Sequence, residues 1–389
     1  MKLLNSFILI LLCLTISAAD FNHTAKQNIE DKTTPDLKFI ILGDSRNPEL
    51  TPDGFGSGDS IFSSIIESVN QMEENPAFII HSGDLAVDGE AFEYERYLEI
   101  IAKSDIPVVT LKGNHEIYAD SGNIFFTEYF GSGNIAFEKA GITFIGFNTV
   151  EPKVIEDKHY ADYRIDTSTL FWMDSQIRRA YENGNAVIPA THVPPCVEGK
   201  INGHCLGDSF YYPKPNIEKS NVYYYKKLID YYGIAVSFYG HIHSYGDFES
   251  NGHRYVISGG AGAPLYDKYI DGLSVNHFVL AAKKGDSLFG QLYDENGNMI
   301  DKTFKTALKK TPSVPGMEFE MAEEGDSLIF SFPDRGIRYV EMRNLFGVLI
   351  ENTKTLSDRA ALFTGGIGGP VKYSVIEGPA SRSGWKWFF

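Results

Sequence analysis

Three things are scarce in this 389-residue sequence: cysteine, basic runs and long apolar stretches. Cys13, Cys196 and Cys205 are its only cysteines, so stability rests on a buried core, which a chain of this length can supply. Net charge is −16 and no segment is a run of lysine and arginine, which excludes nucleic-acid backbone as the expected main partner. The acidity does not exclude an anionic substrate, because bound cations would dominate the local potential. No segment is an apolar stretch of the ~20 residues that a spanning helix needs. Hydrophobic residues at 43% and charged residues at 22% are ordinary for a globular protein.

The longest apolar stretch, Leu3–Ile16, follows Lys2, is interrupted by Asn5, Ser6, Cys13 and Thr15, and ends at Ser17-Ala18-Ala19. A short apolar segment closed by small residues reads as a signal peptide cleaved after Ala19, with a membrane anchor as the competing reading. Export to the periplasm, the cell surface or the medium is the expectation. Cleavage would leave only Cys196 and Cys205, close together in one loop. In an oxidising compartment the pair suggests a disulfide; zinc binding and two free thiols stay open as alternatives.

Against this background stand five short polar motifs, each after an apolar run: Gly43–Arg46 (GDSR), Gly83–Gly89 (GDLAVDG), Gly113–Glu116 (GNHE), Thr191–Pro195 (THVPP) and Gly240–His243 (GHIH). The preceding runs, Leu37–Leu42, Phe78–His81, Ile106–Leu111, Ala186–Ala190 and Ile234–Phe238, read as buried strands. Ligands of α/β sheets bind beyond the carboxyl ends of strands, so Asp44, Asp84, Asn114, His115, His192, His241 and His243 should meet at one rim. Carboxylates, an amide oxygen and imidazoles in one place suit divalent cations. Singly, each residue has a plainer reading: Asp44 as a turn or capping residue, Asn114 as a turn former, His192 as a structural histidine. His241 and His243, one residue apart, face the same side of an extended segment.

Between the motifs, helical stripes appear at Asp59–Asn70, Glu90–Ala102, Thr167–Asn183 and Asn221–Tyr232. After GHIH the period changes to two, at Arg254–Ser258, Phe278–Ala282 and Ser287–Tyr293, with Glu295–Asn298 as a hairpin turn. The expected fold is an α/β sandwich of mixed β-sheets flanked by helices. Five segments follow: a signal peptide at 1–19, a flexible leader at 20–35, a main domain at 36–305, a linker at 306–316, and a small C-terminal β domain at 317–389. Ser327–Phe332, Tyr339–Met342, Val348–Glu351 and Val371–Val375 read as strands of that last piece, and Trp385–Phe389 as a terminal strand.

The ordered motifs of residues 36–304 resemble the calcineurin-like metallophosphoesterase superfamily, whose signature is D-x-H, G-D, G-N-H-[ED], H and G-H-x-H. The resemblance implies a phosphoester hydrolase with two divalent ions (Mn, Fe or Zn) about 3.5 Å apart and a hydroxide between them that attacks phosphorus. It implies that Asp84 bridges the ions, that Asn114, His192 and His241 complete one site, and that Asp44 and His243 serve the other. It implies that His115 ligates nothing and assists the leaving oxygen. Ligating histidines must be neutral, so activity should fall in acid. The substrate is expected to be a phosphate mono- or diester; the sequence leaves its identity and the oligomeric state open.

Arg46 stands where the family most often has the histidine of D-x-H. A guanidinium has no lone pair to give a metal, so the Asp44/His243 site should bind its ion more weakly. Arg46 would then offer its charge to phosphate, or turn away to a carboxylate such as Asp59. A degenerate, non-catalytic metal- or ligand-binding surface protein is the competing function, although such a module has no need of His115. Val87 stands where purple acid phosphatases carry the tyrosine of G-D-x-x-Y, and phosphoprotein phosphatases lack G-H-x-H. His81 reads as a core histidine, and His159, His204, His253 and His277 as surface residues. The loop 194–215, with Phe210, Tyr211 and Tyr212, should overhang the site.

Overall fold

In chain order the strands of the main body are β1 (Lys38–Leu42), β2 (Ile79–His81), β3 (Val108–Thr110), β4 (Ile135–Lys139), β5 (Ile142–Gly146), β6 (Val150–Ile155) and β7 (Lys158–Tyr163). They continue with β8 (Ala186–Thr191), β9 (Val236–Tyr239), β10 (Tyr245–Ser250), β11 (His253–Ser258), β12 (His277–Lys284), β13 (Ser287–Asp294) and β14 (Met299–Ala307). The helices are α1 (Asp20–Asp31), α2 (Ser57–Gln71), α3 (Ala91–Ile101), α4 (Gly122–Phe130), α5 (Thr167–Glu182) and α6 (Val222–Tyr232). This computed structural model describes residues 20–31, 36–47, 56–119, 122–201, 203–207, 220–266, 268–310 and the C-terminal strands between 320 and 388. The expected signal peptide, the proline-containing linker at 311–316 and the aromatic run at 210–212 lie outside the described residues.

Strand β1 shows how the core is divided. Phe39, Ile40, Ile41 and Leu42 are all buried, and alternate side chains of a strand face opposite ways, so both faces of its sheet are covered. Phe39 and Ile41 pack with Phe144, Ile188 and Phe238 of a second sheet. Ile40 and Leu42 pack with Phe62, Ile65 and Ile66 of α2 and with Tyr94 and Tyr97 of α3. On the far side of the second sheet, Leu170, Met173 and Ile177 of α5 join Ile145, Val187 and Tyr239. The layers run helix, sheet, sheet, helix.

One sheet has the order β14-β13-β12-β1-β2-β3 and the other β10-β11-β9-β8-β5-β4. Strands β1, β2 and β3 are parallel to one another, as are β5, β8, β9 and β11. β12 runs antiparallel to β1, with Leu280 opposite Ile40. Both sheets are therefore mixed. The parallel strands bring the ends that precede Asp44, Asp84, Asn114, His192 and His241 to one rim. Helix α5 starts where Asp166 accepts a hydrogen bond from Ser168 N–H at 3.1 Å, an N-cap.

The leader after residue 19 was expected to be flexible, and this is corrected by α1. Ala25 and Ile29 of that helix are buried, and the Phe21 ring meets Phe130 edge-on at 5.7 Å. Its anchor is polar. The buried Asn22 side chain donates to the carbonyls of Thr110 and Phe130, each at 2.9 Å, and accepts from Thr110 N–H at 2.9 Å. β3 is an edge strand, so Asn22 occupies backbone groups that would otherwise be unpaired.

Beyond the main body, β15 (Glu320–Glu324), β16 (Ser327–Ser331), β17 (Arg338–Arg343), β18 (Leu349–Thr355), β19 (Arg359–Phe363), β20 (Gly369–Glu377) and β21 (Ala380–Phe388) form two more antiparallel sheets. Phe330, Val340, Met342, Leu362 and Val375 make their shared core. Tyr339 joins them to α5: its hydroxyl donates to Phe171 O at 2.9 Å, and Arg178 lies over its ring at 4.6 Å. Among the described residues no helix is long and apolar enough to cross a membrane.

Candidate metal centre

Three of the rim residues have backbones that most side chains avoid. Asp44, Asp84 and His241 lie at φ of 60°, 58° and 70°, a left-handed region that costs about 1–3 kcal/mol per residue outside glycine. Such strain persists only where the surroundings over-determine it. Here Asp44 N–H donates to Gly83 O at 2.9 Å and Arg46 N–H to Asp84 O at 3.0 Å, which ties the first motif to the second. The buried His81 ring adds a further tie, with Nε2 2.9 Å from Ser45 Oγ and Nδ1 accepting from Gly83 N–H at 3.2 Å. Burial drives its pKa down to about 3, so it stays neutral in that role.

The motif glycines make room for the neighbouring motif's carboxylate. A Cβ on Gly113 would stand 2.2 Å from Asp84 Oδ1, and one on Gly240 would stand 2.6 Å from Asp44 Oδ2. No larger residue fits at either place without displacing an acid.

The seven residues singled out from the motifs are brought together. Asp44 Oδ2 accepts from His241 N–H at 2.9 Å, and Asp44 Oδ1 lies 3.4 Å from His243 Nε2. His192 Nε2 is 3.2 Å from Asp84 Oδ1, 3.0 Å from Asn114 Oδ1 and 3.2 Å from His241 Nδ1. Asp84 with His192 and His241, and Asp44 with Asp84 and His243, form two buried groups whose ligand atoms lie within 4.8 Å of one another. Asp84 belongs to both. Two imidazoles have the other nitrogen tethered to a carbonyl: His192 Nδ1 to Ser82 O at 3.0 Å, and His243 Nδ1 to Pro264 O at 2.6 Å. That tether fixes Nε2 as the donor atom for a metal. His192 Nε2 thus has Asp84 Oδ1, Asn114 Oδ1 and His241 Nδ1 all within 3.2 Å, a convergence of lone pairs that a cation would satisfy. The donor set fits a divalent ion.

His115 stands beside these groups. Its N–H donates to Asp84 Oδ1 at 3.0 Å, its Nδ1 pairs with Val87 O, and its Nε2 lies 3.9 Å from Asp84 Oδ2. The side chain keeps 19% of its surface exposed, more than any of its histidine neighbours in the two groups. Burial lowers its pKa, Asp84 partly restores it, and Arg46 lowers it further.

Two glutamates without an assigned role in the sequence reading hold the loops. Buried Glu116, the last letter of GNHE, accepts from the N–H groups of Asp84, Leu85, Ala86 and Gly113 at 2.5–3.0 Å. Burial and the Asp84 charge raise its pKa to about 7 against the pull of those amides. Glu93 in α3 collects Val87, Asp88, Gly89 and Glu90 N–H in the same way. Its place three residues after Glu90, at the third position of a helix, is the signal that could have revealed it.

Other histidines need correction. His253 and His277, expected at the surface, are buried, because each ring uses Nδ1 on a carbonyl, of Ile234 and Val275 respectively. His204 lies at the centre itself, its ring 5.4 Å from that of His241 and 4.2 Å from Tyr269. It is carried there by the adjacent Cys205, which forms a disulfide with Cys196.

Charge in this cluster is uneven. Burial alone would lower the His192 pKa, but the Asp84 carboxylate outweighs it and lifts the value to about 9. In turn, burial would raise Asp84, yet His192, His115 and Arg46 hold it well below the usual carboxylate range. A cation needs the His192 Nε2 lone pair, so its uptake must expel a proton. Below pH ~9 we expect about one proton released per tightly bound ion, with apparent affinity falling roughly tenfold per pH unit as pH drops. Above that value the release should vanish. Calorimetric titration at pH 7.5 and pH 10 in buffers of different ionisation enthalpy measures it; no release at pH 7.5 would remove His192 from the ligand set.

A family model described as calcineurin-like phosphoesterase matches residues 37–245. A "Probable cyclic nucleotide phosphodiesterase" of Synechococcus sp. is 25% identical over 138 residues, 36% of this chain and 50% of its own length. The chain thus spans half the length of that curated relative. Among solved structures, a purple acid phosphatase from yellow lupin seeds superposes with a TM-score of 0.50 at 17% identity. That match covers 70% of this chain and 54% of the lupin protein, a likeness of fold.

Proposed function

This chain belongs to the calcineurin-like phosphoesterase family, and we propose that it is an exported hydrolase that cleaves a phosphate mono- or diester with divalent cations. The observation that carries this reading is the pair of buried carboxylate–histidine groups sharing Asp84, with His115 at their edge. Asp84, Asn114, His192 and His241 would hold one ion, and Asp44, Asp84 and His243 a second, weaker one. Bound there, divalent ions supply Lewis acidity toward phosphoryl oxygens and bring a water's pKa into the nucleophilic range.

The chain's own residues do the rest. Water loses a proton to solvent and its oxygen adds to phosphorus, while the bond to the ester oxygen breaks and leaves its electron pair on that oxygen. His115, oriented by the Val87 carbonyl, gives its Nε2 proton to the departing oxygen. The anionic phosphoryl group beside that ring favours its protonated form, as Asp84 already does. Export is supported by the Leu3–Ile16 segment and by the Cys196–Cys205 disulfide, a bond that persists in oxidising compartments. The name of the Synechococcus relative makes cyclic and linear diesters the first substrates to try.

Purified protein loaded with Mn²⁺, Zn²⁺ or Fe²⁺ should hydrolyse aryl phosphate mono- or diesters, and lose that turnover to chelator. No turnover of either ester class with any of these ions would favour a binding protein instead.

A further inference from the structure

Arg46 does not behave like a surface arginine. Its side chain is 15% exposed, and Nε lies 3.8 Å from Asp84 Oδ2. Among the described residues, that buried Nε has no hydrogen-bond partner. The alternative carboxylate, Asp59, is already engaged by Arg96 at 3.5 Å and by Asn47 Nδ2 at 3.2 Å. The Tyr266 ring packs on His243 of the Asp44/Asp84/His243 group at 4.6 Å. Arg46 therefore lies against Asp84, the carboxylate that both groups share, and adds no ligand to the Asp44/Asp84/His243 group.

We propose that Arg46 replaces much of the second cation: one ion binds tightly at Asp84, Asn114, His192 and His241, and the guanidinium holds the phosphoryl group in the second ion's stead. This rests on the phosphoesterase reading for its ligand but not for its metal count. The charge balance points the same way. Two carboxylates, Asp44 and Asp84, are the acids of the two groups, and with neutral imidazoles they cannot neutralise two dications and a guanidinium together. Like charges crowded on Asp84 repel, and the guanidinium cannot leave by losing its proton. Its planar donors match two phosphoryl oxygens, and the unbonded Nε leaves at least one of them without an acceptor among the described residues.

Metal stoichiometry and inorganic phosphate affinity, both by calorimetry on the full mature protein, test this without reference to turnover. Wild type should bind one Mn²⁺ or Zn²⁺ tightly and a second at least about tenfold more weakly. Arg46→His should tighten the second ion by about tenfold or more, by adding a ligand and removing a charge. With a single ion loaded, Arg46→Ala should weaken phosphate binding by roughly tenfold to a hundredfold. Arg46→Lys, which keeps charge but not the fork, should still exclude the second ion and recover only part of the phosphate affinity. Two ions of equal affinity in wild type, an unchanged second site in Arg46→His, or unchanged phosphate affinity in a folded Arg46→Ala each overturn the inference. Turnover measured on the same samples separates the two readings. Two equal ions with turnover overturn only this inference; one tight ion and Arg46-dependent phosphate binding without turnover overturn only the hydrolase.

Discussion

Asp84→Asn will empty the centre of tightly bound cation and reduce turnover to background while the fold survives. Asparagine is the informative replacement because residue 84 sits at φ 58°, a conformation that Asp and Asn tolerate and alanine resists. The amide also keeps an oxygen for His115 N–H, which donates to Asp84 Oδ1 at 3.0 Å. What disappears is the charge. Asp84 is common to both ligand groups, and Arg46, His115 and His192 all face it. Loss of an outer-shell partner typically costs about 10–100-fold in metal affinity or activity; loss of a shared, charged ligand must cost more. Metal per chain by plasma mass spectrometry, with circular dichroism as the control on folding, settles it. Wild-type metal content in the folded variant would show that Asp84 is not the shared ligand.

The reason that Asp84 and its neighbours could be picked from the sequence is geometric. Each follows a run of buried strand residues, and parallel strands deliver their ends to one rim, so position after a strand is a proxy for position in space. The same logic cannot see α1. Its apolar stripe is thin, Phe21, Ala25 and Ile29, and its anchor Asn22 is polar because its partners are backbone groups of the β3 edge. Those partners lie 88 positions away, and no local pattern announces them. Glu116 and Glu93 escaped for a related reason. Each carboxylate spends its charge on backbone N–H groups of the loops that carry Asp84 and Val87, so beyond the hint that Glu93 gives as the third residue of its helix, the set of amides it holds appears only once those loops have closed around it. Arg46 is intermediate. Its inability to ligate follows from its chemistry alone, whereas its choice of Asp84 over Asp59 depends on Arg96 having taken the latter.

These supporting carboxylates also explain how strained residues are kept in place. Glu116 fixes the amides from Asp84 to Ala86, while Gly113, whose N–H it also binds, leaves the space that the Asp84 carboxylate fills. The hydrogen bonds that hold ligand and loop thus come from the chain itself. A centre assembled in this way loses little entropy on binding an ion, and its selectivity rests on donor type and on the charge that Arg46 already contributes.

His115→Ala should separate chemistry from assembly: kcat falls by roughly 10²–10⁴, and metal content stays at the wild-type value. His115 contributes no atom to either ligand group. Its ring is held by Val87 O and lies edge-on to Tyr118 at 4.9 Å, with Nε2 near Asp84 Oδ2 at 3.9 Å. Removing the ring therefore leaves the Asp84–His192 and Asp44–His243 contacts in place. If His115 protonates the leaving oxygen, the size of the defect must depend on how much that oxygen needs a proton. Alkyl phosphates, whose alkoxides leave poorly, should suffer close to the full loss, and nitrophenyl phosphates, whose phenolates leave unaided, far less. A plot of log kcat against leaving-group pKa should then be steeper for the variant than for wild type. An equal loss across the series would mean that His115 stabilises charge on the phosphoryl group rather than delivering a proton. Metal loss matching that of Asp84→Asn would instead place His115 among the ligands.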